Sequence, residues 1–192
     1  MDADSGLVKA AAEGSREAFD ELVRRYQGEM LNVARAMTSG DAEAEDLAQE
    51  AFVRAWRSLR TFRGDSSFRT WLYGITLNVI RTHQGRRSKR AHLWWSPRDA
   101  RADRDPHIDP LERHAADIDL EQSLAVQDAI DRALATLPGD MREAVTLRDV
   151  QGLDYKEIAV VLGVPLGTVE SRIFRARQRL RPLLEPLMKR HS

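Results

Sequence analysis

The stretch from Thr168 to Leu180 concentrates side chains that can bind the phosphates and base edges of a nucleic acid. Each arginine presents a planar fork of donors that matches phosphate oxygens and the guanine edge in a major groove. At helical spacing, Val169, Ile173 and Leu180 share one face. Much of the remaining circumference is covered by Ser171, Arg172, Arg175, Gln178 and Arg179. Such a helix is typical of one that lies in a major groove, although a solvated basic face has the same composition.

The residues before this helix predict a helix-turn-helix that positions it. Asp154 and Glu157 form an acidic variant of the capping box at the start of a short helix, and Gly163 ends that helix. Pro165 disfavours helical backbone at the residue before it, so the chain turns before the second helix starts near Gly167. The predicted core of the motif consists of Ile158, Ala159, Leu162, Val164, Val169 and Ile173. A short helix, a turn with a proline and a basic second helix together favour DNA binding.

A second set of polar side chains lies on a predicted helix over residues 42–59. Asp46, Gln49, Glu50 and Arg54 follow one another at spacings that place them on or near one exposed strip. The carboxylates of Glu43, Asp46 and Glu50 also fit a rival interpretation, metal-dependent catalysis. No histidine stands beside them on this helix, so the sequence predicts neither a metal site nor a catalytic site there.

The segment 62–90 interleaves aromatic side chains with arginines. A predicted loop over residues 61–66 leads into a helix from about Ser67, and Ser66 or Ser67 can cap that helix. Aromatic rings can stack on unpaired bases while arginines neutralise the phosphates. Trp71 and Leu72 at helical spacing are more often core residues than a platform for bases. The composition leaves both roles open for Trp71.

The charge of the chain is segregated along its length. Its 30 basic and 30 acidic residues cancel, but residues 1–59 carry 7 basic and 12 acidic side chains and residues 60–104 carry 11 and 3. Residues 105–157 carry 5 and 13, and residues 158–192 carry 7 and 2. The two basic blocks predict two separate contacts with polyanions, and the acidic blocks are free to face solvent or a basic partner.

The composition also limits where the protein acts. The chain contains no cysteine, which excludes disulfides and thiolate metal sites and agrees with a reducing compartment. His92, His107 and His114 do not have the spacing of metal ligands. Neither a signal peptide nor a run of about 20 apolar residues is found. The sequence therefore predicts a cytoplasmic protein without direct membrane insertion, a metal site or another cofactor.

The apolar periodicity predicts an all-α protein of two small helical domains joined by a flexible charged linker, with the helix-turn-helix in the second domain. No strand-like alternation is found along the chain. The predicted boundaries are 1–87 for the first domain, 88–119 for the linker and 120–192 for the second domain. The linker has no sustained period and a high density of charge.

Two tryptophans and several prolines stand at the ends of these parts. Trp94 and Trp95 either anchor a partner or cover one end of the first domain. Pro138 is expected to separate two helices of the second domain. Pro182 and Pro186 are expected to end the recognition helix and its tail, because proline lacks the amide donor that a helix needs.

Three stretches, in this order, resemble those of bacterial sigma factors of the extracytoplasmic-function group. Residues 41–56, DAEAEDLAQEAFVRAW, are similar to the region 2 helix of that family, and residues 62–81 to the promoter-melting segment that follows it. Residues 137–181 are similar to region 4. The resemblance implies a subunit without catalytic chemistry that binds core RNA polymerase, directs it to promoter DNA and is controlled by an anti-sigma factor.

The resemblance also implies a role for each set of residues. Core polymerase would be bound by Asp46, Gln49, Glu50 and Arg54. The −10 element would be opened and read, with a base flipped into the loop 63–67, by Arg63, Ser66, Ser67, Trp71, Asn78, Arg81 and Arg86. The −35 element would be read by Thr168, Glu170, Ser171, Arg172, Phe174, Arg175 and Arg179. Two positions depart from the family's pattern, since Thr82 replaces a frequent aspartate and Glu170 a frequent basic residue.

A rival interpretation is an ordinary helix-turn-helix regulator that binds duplex DNA without polymerase. Such a protein does not need arginines beside aromatic residues in the segment 62–90, whereas a subunit that opens DNA does. The polar linker of about thirty residues is expected to let the two domains move relative to one another. An anti-sigma factor would then inhibit by holding both domains in one compact arrangement.

Overall fold

The computed structural model describes residues 4–38, 40–94, 126–127 and 129–188; for 87–94 and 186–188 the description covers the backbone alone. Its described residues form helices and contain no strand, as predicted. The helices are α1 Ser5–Ala12, α2 Arg16–Met37, α3 Asp41–Ser58, α4 Phe68–Trp94, α5 over residues 129–135, α6 Gly139–Val145, α7 Tyr155–Leu162 and α8 Leu166–Met188. A 3₁₀ turn, Leu59–Thr61, follows α3, and a π-helical turn, Thr146–Val150, follows α6.

The first domain packs α1, α3 and α4 against the long helix α2. The hydroxyl of Ser15 caps α2 by accepting from the amide of Ala18 at 3.2 Å. Helix α1 was not predicted, because its eight residues carry too few large apolar side chains for a clear period. The buried carboxylate of Asp4, at its start, accepts from Arg25 and Tyr26 of α2. A contact distant in sequence therefore holds this helix.

The second domain contains the predicted helix-turn-helix. The Asp154 carboxylate accepts from the Glu157 amide at 2.8 Å, and the Glu157 carboxylate accepts from the Asp154 amide at 2.9 Å, which confirms the capping box. Gly163 ends α7 with φ of 67°, a left-handed conformation that glycine adopts without strain. Of the predicted core, Ile158, Leu162, Val169 and Ile173 are buried, and Ala159 and Val164 pack against them half-buried. The turn thus fixes how α8 is presented.

The two domains pack directly against each other, and the expected motion of one domain relative to the other stays a prediction. Helix α4 contacts α7, and α2 contacts α6. One continuous apolar core includes Leu77 and Ile80 of α4 together with Leu147 and Ile158 of the second domain. A smaller cluster places Ala36 of α2 among the apolar side chains of α5, α6 and α8. Burial of this shared apolar surface outweighs the freedom that a long linker allows.

Two helices, α8 and α4, extend farther than the sequence predicted. Helix α8 continues through Pro182 and Pro186 to Met188. Each proline removes only one backbone donor, and Arg181, Pro182 and Leu183 at the first proline are exposed to solvent. Helix α4 continues to Trp94, past the expected start of the linker at residue 88. Trp95 and the rest of the predicted linker lie outside the described residues, so the domain boundaries stay a prediction.

Candidate nucleic-acid and protein interfaces

Helix α8 presents one polar face to solvent. Its buried side carries Val169, Ile173, Ala176 and Leu180, which pack against the rest of the second domain. The predicted −35 residues that lie exposed on the opposite side are Glu170, Phe174, Arg175 and Arg179. Phe174 is 63% exposed, an unusual position for a large aromatic side chain. An exposed ring beside an arginine can contact a thymine methyl group while the arginine binds a guanine edge.

The remaining predicted −35 residues are held by contacts within the second domain. Arg172 is half-buried, and its Nε lies 3.2 Å from the Asp140 carboxylate of α6. The hydroxyl of Ser171 donates to the carbonyl of Thr168 at 3.0 Å. Arg172 is therefore partly engaged inside the second domain, whereas Arg175 is exposed to solvent.

The loop before α4 is exposed, and an aromatic cluster supports it. Ser67 caps α4 by accepting from the amide of Thr70 at 3.0 Å, so of the two proposed capping residues it is Ser67 that acts. Trp71 is half-buried, with ring centroids 5.0 Å from Phe62 and 5.7 Å from Phe68. Arg63 is exposed and Ser66 is half-buried beside it. The Trp71 ring therefore packs against Phe62 and Phe68 and stays partly accessible to solvent.

Farther along α4, the predicted −10 residues differ in accessibility. Asn78 and Arg86 are exposed. Arg81 forms a two-pronged ion pair across the domain boundary, with Nε 2.8 Å and Nη2 2.6 Å from the two carboxylate oxygens of Glu143. The hydrogen bond to Glu143 raises the pKa of Arg81. Thr82, at the position that departs from the family's pattern, donates to the carbonyl of Asn78 at 2.7 Å.

The strip on α3 is a separate surface on the first domain. Asp46 and Gln49 are exposed, and Glu50 accepts from Nε of Arg54 at 2.8 Å. Val53, which is 43% exposed, stands three residues after Glu50 on the same side of the helix. The sequence analysis did not include Val53 in this strip. Its apolar side chain is out of register with the buried positions of the helix, which would have indicated an exposed apolar residue. The strip thus combines charged groups with one apolar contact point.

Comparison with known proteins agrees with the division of the chain into two parts. Residues 22–90 match the family Sigma-70 region 2, and residues 127–180 match Sigma-70, region 4. RNA polymerase sigma-H factor of Pseudomonas aeruginosa is 38% identical, over 97% of this chain and 96% of that protein. ECF RNA polymerase sigma-E factor of Escherichia coli K12 is 39% identical, over 97% of each chain. The chain belongs to the extracytoplasmic-function sigma factors.

Solved structures support the same assignment for this sigma factor. CnrH in complex with the cytosolic domain of CnrY superposes with a TM-score of 0.68 at 30% identity, covering 96% of this chain and 99% of that chain. RpoE in complex with the anti-sigma factor NepR from Bartonella quintana superposes with a TM-score of 0.67 at 28% identity, covering 87% and 96%. The predicted family and fold are thereby confirmed.

Two other kinds of site, a membrane-spanning helix and a metal cluster, are absent from the described residues of the sigma factor. Among its described helices, none combines the length and the apolar character that a membrane crossing requires. The described part of the chain contains no cluster of three or more histidine, cysteine, aspartate or glutamate side chains arranged to hold a metal ion. The three surfaces above, on α3, on the loop with α4 and on α8, remain its candidate functional sites.

Proposed function

We propose that this sigma factor binds core RNA polymerase and directs it to specific promoters. The observation that carries the proposal is similarity to sigma factors over nearly the whole chain, at 38% and 39% identity, with regions 2 and 4 both present. A regulator that only binds duplex DNA would need the α8 surface alone. Such a regulator leaves the exposed strip of α3 and the exposed Arg63 and Arg86 without a role, whereas a sigma factor uses them on polymerase and on a second DNA contact.

Each of the three surfaces binds a different partner or DNA element in this proposal. The α3 strip, with Asp46 and Gln49 exposed, binds core polymerase. The loop around Arg63 and the half-buried Trp71 bind unpaired bases of the −10 element, because a base of any kind can stack on an accessible aromatic face while arginine neutralises the phosphates. The α8 face around Arg175 reads the −35 element in the major groove. Phosphate contacts from the neighbouring arginines set the register on the duplex.

An anti-sigma factor controls the protein in this proposal. Two structures similar to this chain are complexes of a comparable protein with a second polypeptide, and one of those polypeptides is named as an anti-sigma factor. The partner covers both domains in their compact arrangement and competes with core polymerase. The sigma factor acts in the cytoplasm, where polymerase meets DNA, and carries no catalytic chemistry of its own.

Equilibrium binding to purified core polymerase tests the proposal. We expect saturable one-to-one binding that an excess of another sigma factor displaces. The variant Asp46→Lys/Glu50→Lys is expected to lose that binding, whereas the control Glu13→Lys, at an exposed position after α1, is expected to keep it. A wild-type chain that binds duplex DNA but not core polymerase would instead support the helix-turn-helix regulator.

A further inference from the structure

The loop of residues 63–67 before α4, which the proposed function assigns to the −10 element, is held mainly at its two ends. In the part of the chain that the structure describes, residues 63–65 form no backbone–backbone hydrogen bond. Gly64 takes a left-handed conformation with φ of 75°, and Arg63, Gly64 and Asp65 are all exposed. A loop with so few contacts of its own takes its shape from the residues that anchor it.

Two aromatic residues anchor the loop, Phe62 before it and Phe68 after it. Their ring centroids lie 6.3 Å apart with the ring planes nearly perpendicular, and both rings pack against Trp71, at 5.0 and 5.7 Å. We call these three rings the aromatic cluster. Phe68 is fully buried within it. Because a close-packed interior transmits displacements, a shift of the Phe68 ring reaches both ends of the loop and Trp71.

A further ring, from α2, holds Phe68 in place. The Tyr26 ring centroid lies 5.7 Å from that of Phe68, at an interplanar angle of 52°. The hydroxyl of Tyr26 donates to the carboxylate of Asp4, the residue before α1. A ring that packs along one side and forms a hydrogen bond at its end has its tilt fixed. Asp4 therefore acts on Phe68 through Tyr26.

Asp4 is a buried charge that depends on its donors. The residue is 3% exposed, and its other carboxylate oxygen accepts from Nη1 of Arg25 at 2.7 Å. A carboxylate so far from water needs its hydrogen-bond partners, because an unpaired buried charge is costly. Helix α1, which follows Asp4, also contacts the 3₁₀ turn Leu59–Thr61 that leads into the loop. Asp4 and α1 thus reach the loop by two routes.

We propose that Asp4 and Tyr26 are positioning residues for recognition of the −10 element, which hold Phe68 and through it the loop 63–67 in the shape that receives a base. The proposal rests on the proposed function, since that function assigns the loop to −10 DNA. A loop that is already ordered loses less conformational entropy when it binds. Loss of the contact between Asp4 and Tyr26 lets the aromatic cluster reorient, so that −10 recognition weakens while the −35 contacts of α8 stay intact.

The sequence selectivity of this chain bound to core polymerase tests the role. The probe is a labelled forked DNA from a promoter mapped by transcription with this protein, single-stranded at the −10 element and duplex at the −35 element. The measured quantity is the ratio of affinities for the intact probe and for a probe with a scrambled −10 sequence. We expect this ratio to fall about three- to ten-fold in Tyr26→Phe and in Asp4→Asn, as for loss of one hydrogen bond that orders the site. The corresponding ratio for a scrambled −35 sequence is expected to stay at the wild-type value.

Two control variants separate the contact from a general loss of stability. Asp20→Asn removes an exposed carboxylate from α2 and is expected to keep the wild-type −10 ratio. Val8→Ala removes buried apolar contacts of α1 but retains Asp4 and Tyr26, and it too is expected to keep the ratio. The double variant Asp4→Asn/Tyr26→Phe is expected to be no worse than the more affected single variant, because both changes remove one contact. Additive losses, or an equal loss in Val8→Ala, would overturn the positioning role.

Fluorine NMR of the chain labelled with fluorotryptophan reports on the aromatic cluster directly. The Trp71 resonance is assigned by its loss in Trp71→Phe. We expect this resonance to shift in Tyr26→Phe and in Asp4→Asn, whereas the resonance of Trp56, which packs on Phe19 at 4.9 Å, stays in place. A Trp71 resonance that is unchanged in both variants would overturn the action of Asp4 on the cluster.

Failure of the proposed function gives a different result from failure of the positioning role. Wild-type chain on core polymerase that shows no preference for the intact −10 sequence would overturn the proposed function, and the positioning role with it. A selective wild type whose Tyr26→Phe and Asp4→Asn variants keep the full ratio would overturn the positioning role alone.

Discussion

Replacing Tyr73 by phenylalanine removes one hydroxyl group from the polar contacts that join α4 to α2 and to the second domain. Tyr73 is fully buried, and its single proton goes to the Glu29 carboxylate, the nearer and charged acceptor at 2.6 Å. The side-chain amide of Gln151 lies 3.1 Å from the phenolic oxygen, and its nitrogen has no other partner. When that nitrogen rather than the amide oxygen faces Tyr73, it donates a second hydrogen bond to the phenolic oxygen. Phenylalanine thus costs two hydrogen bonds and leaves the ring in place.

The size of the effect follows from what remains after the change. A hydrogen bond to a charged group contributes about 1.5–3 kcal/mol. The Glu29 side chain is 32% exposed and keeps its contact with Arg69, so water and the arginine recover part of the loss. Gln151 is buried and recovers little. We expect a loss of about 2 kcal/mol in the free energy of unfolding, or a fall of about 4–8 °C in Tm for a chain of this size.

Urea unfolding monitored by circular dichroism measures this loss. Because the apolar core is continuous through both domains, a single transition is expected for the wild type and the variant. A cycle of Tyr73→Phe, Glu29→Gln and the double variant isolates the coupling between the two side chains. A Tyr73→Phe chain with an unchanged midpoint would show that the hydroxyl contributes nothing to stability. A coupling near zero would show that its contact with Glu29, which joins α4 to α2 within the first domain, contributes nothing.

The pH dependence of the same pair of proteins gives an independent check. Burial raises the pKa of the Tyr73 phenol in the folded chain, with the Glu29 carboxylate acting in the same direction. Above about pH 10 the unfolded chain loses this proton while the folded chain keeps it, so the stability due to Tyr73 decreases as the pH rises. We expect the difference in unfolding free energy between wild type and Tyr73→Phe to narrow above about pH 10 and to stay constant below it.

Two further predictions concern the interfaces. Arg175→Ala is expected to weaken −35 recognition by about 1–3 kcal/mol at one base pair, and Arg172→Ala to do so at a neighbouring one, as measured with promoter variants at two salt concentrations. Equal weakening on every sequence with a reduced salt dependence would identify a phosphate contact instead. Asp46→Lys/Glu50→Lys is expected to abolish association with core polymerase while the circular dichroism spectrum is unchanged, because exposed charges contribute little to stability. Full affinity for core polymerase in that variant would show that polymerase binds a different surface of the chain.

The local parts of the fold could be predicted from the sequence because short-range chemistry determines them. The capping box of Asp154 and Glu157 and the left-handed Gly163 each involve residues within a few positions of one another. The apolar period of α8 likewise separated Val169 and Ile173 from the polar face. The same locality explains why the exposed state of Arg175 could be predicted.

The polar contacts between α4 and the second domain could not be predicted, since they join residues far apart in the sequence. Leu77 has the same apolar character whether it faces its own domain or a neighbouring one, and the partners of Arg69 and Arg81 are 82 and 62 residues away. The continuation of α8 beyond Pro182 was missed for a different reason. The expectation that proline ends a helix rests on the cost of one lost backbone hydrogen bond. In an exposed helix, water can bond to the freed carbonyl and offset that cost.

Run-off transcription from fragmented genomic DNA tests the central claim most directly. Core polymerase is supplied with or without this protein, and the 5′ ends of the transcripts are mapped. The account predicts discrete transcripts that depend on the protein and start downstream of a shared pair of sequence elements. These transcripts should be lost with Asp46→Lys/Glu50→Lys. An identical set of transcripts with and without the protein, under conditions in which another sigma factor is active, would contradict it.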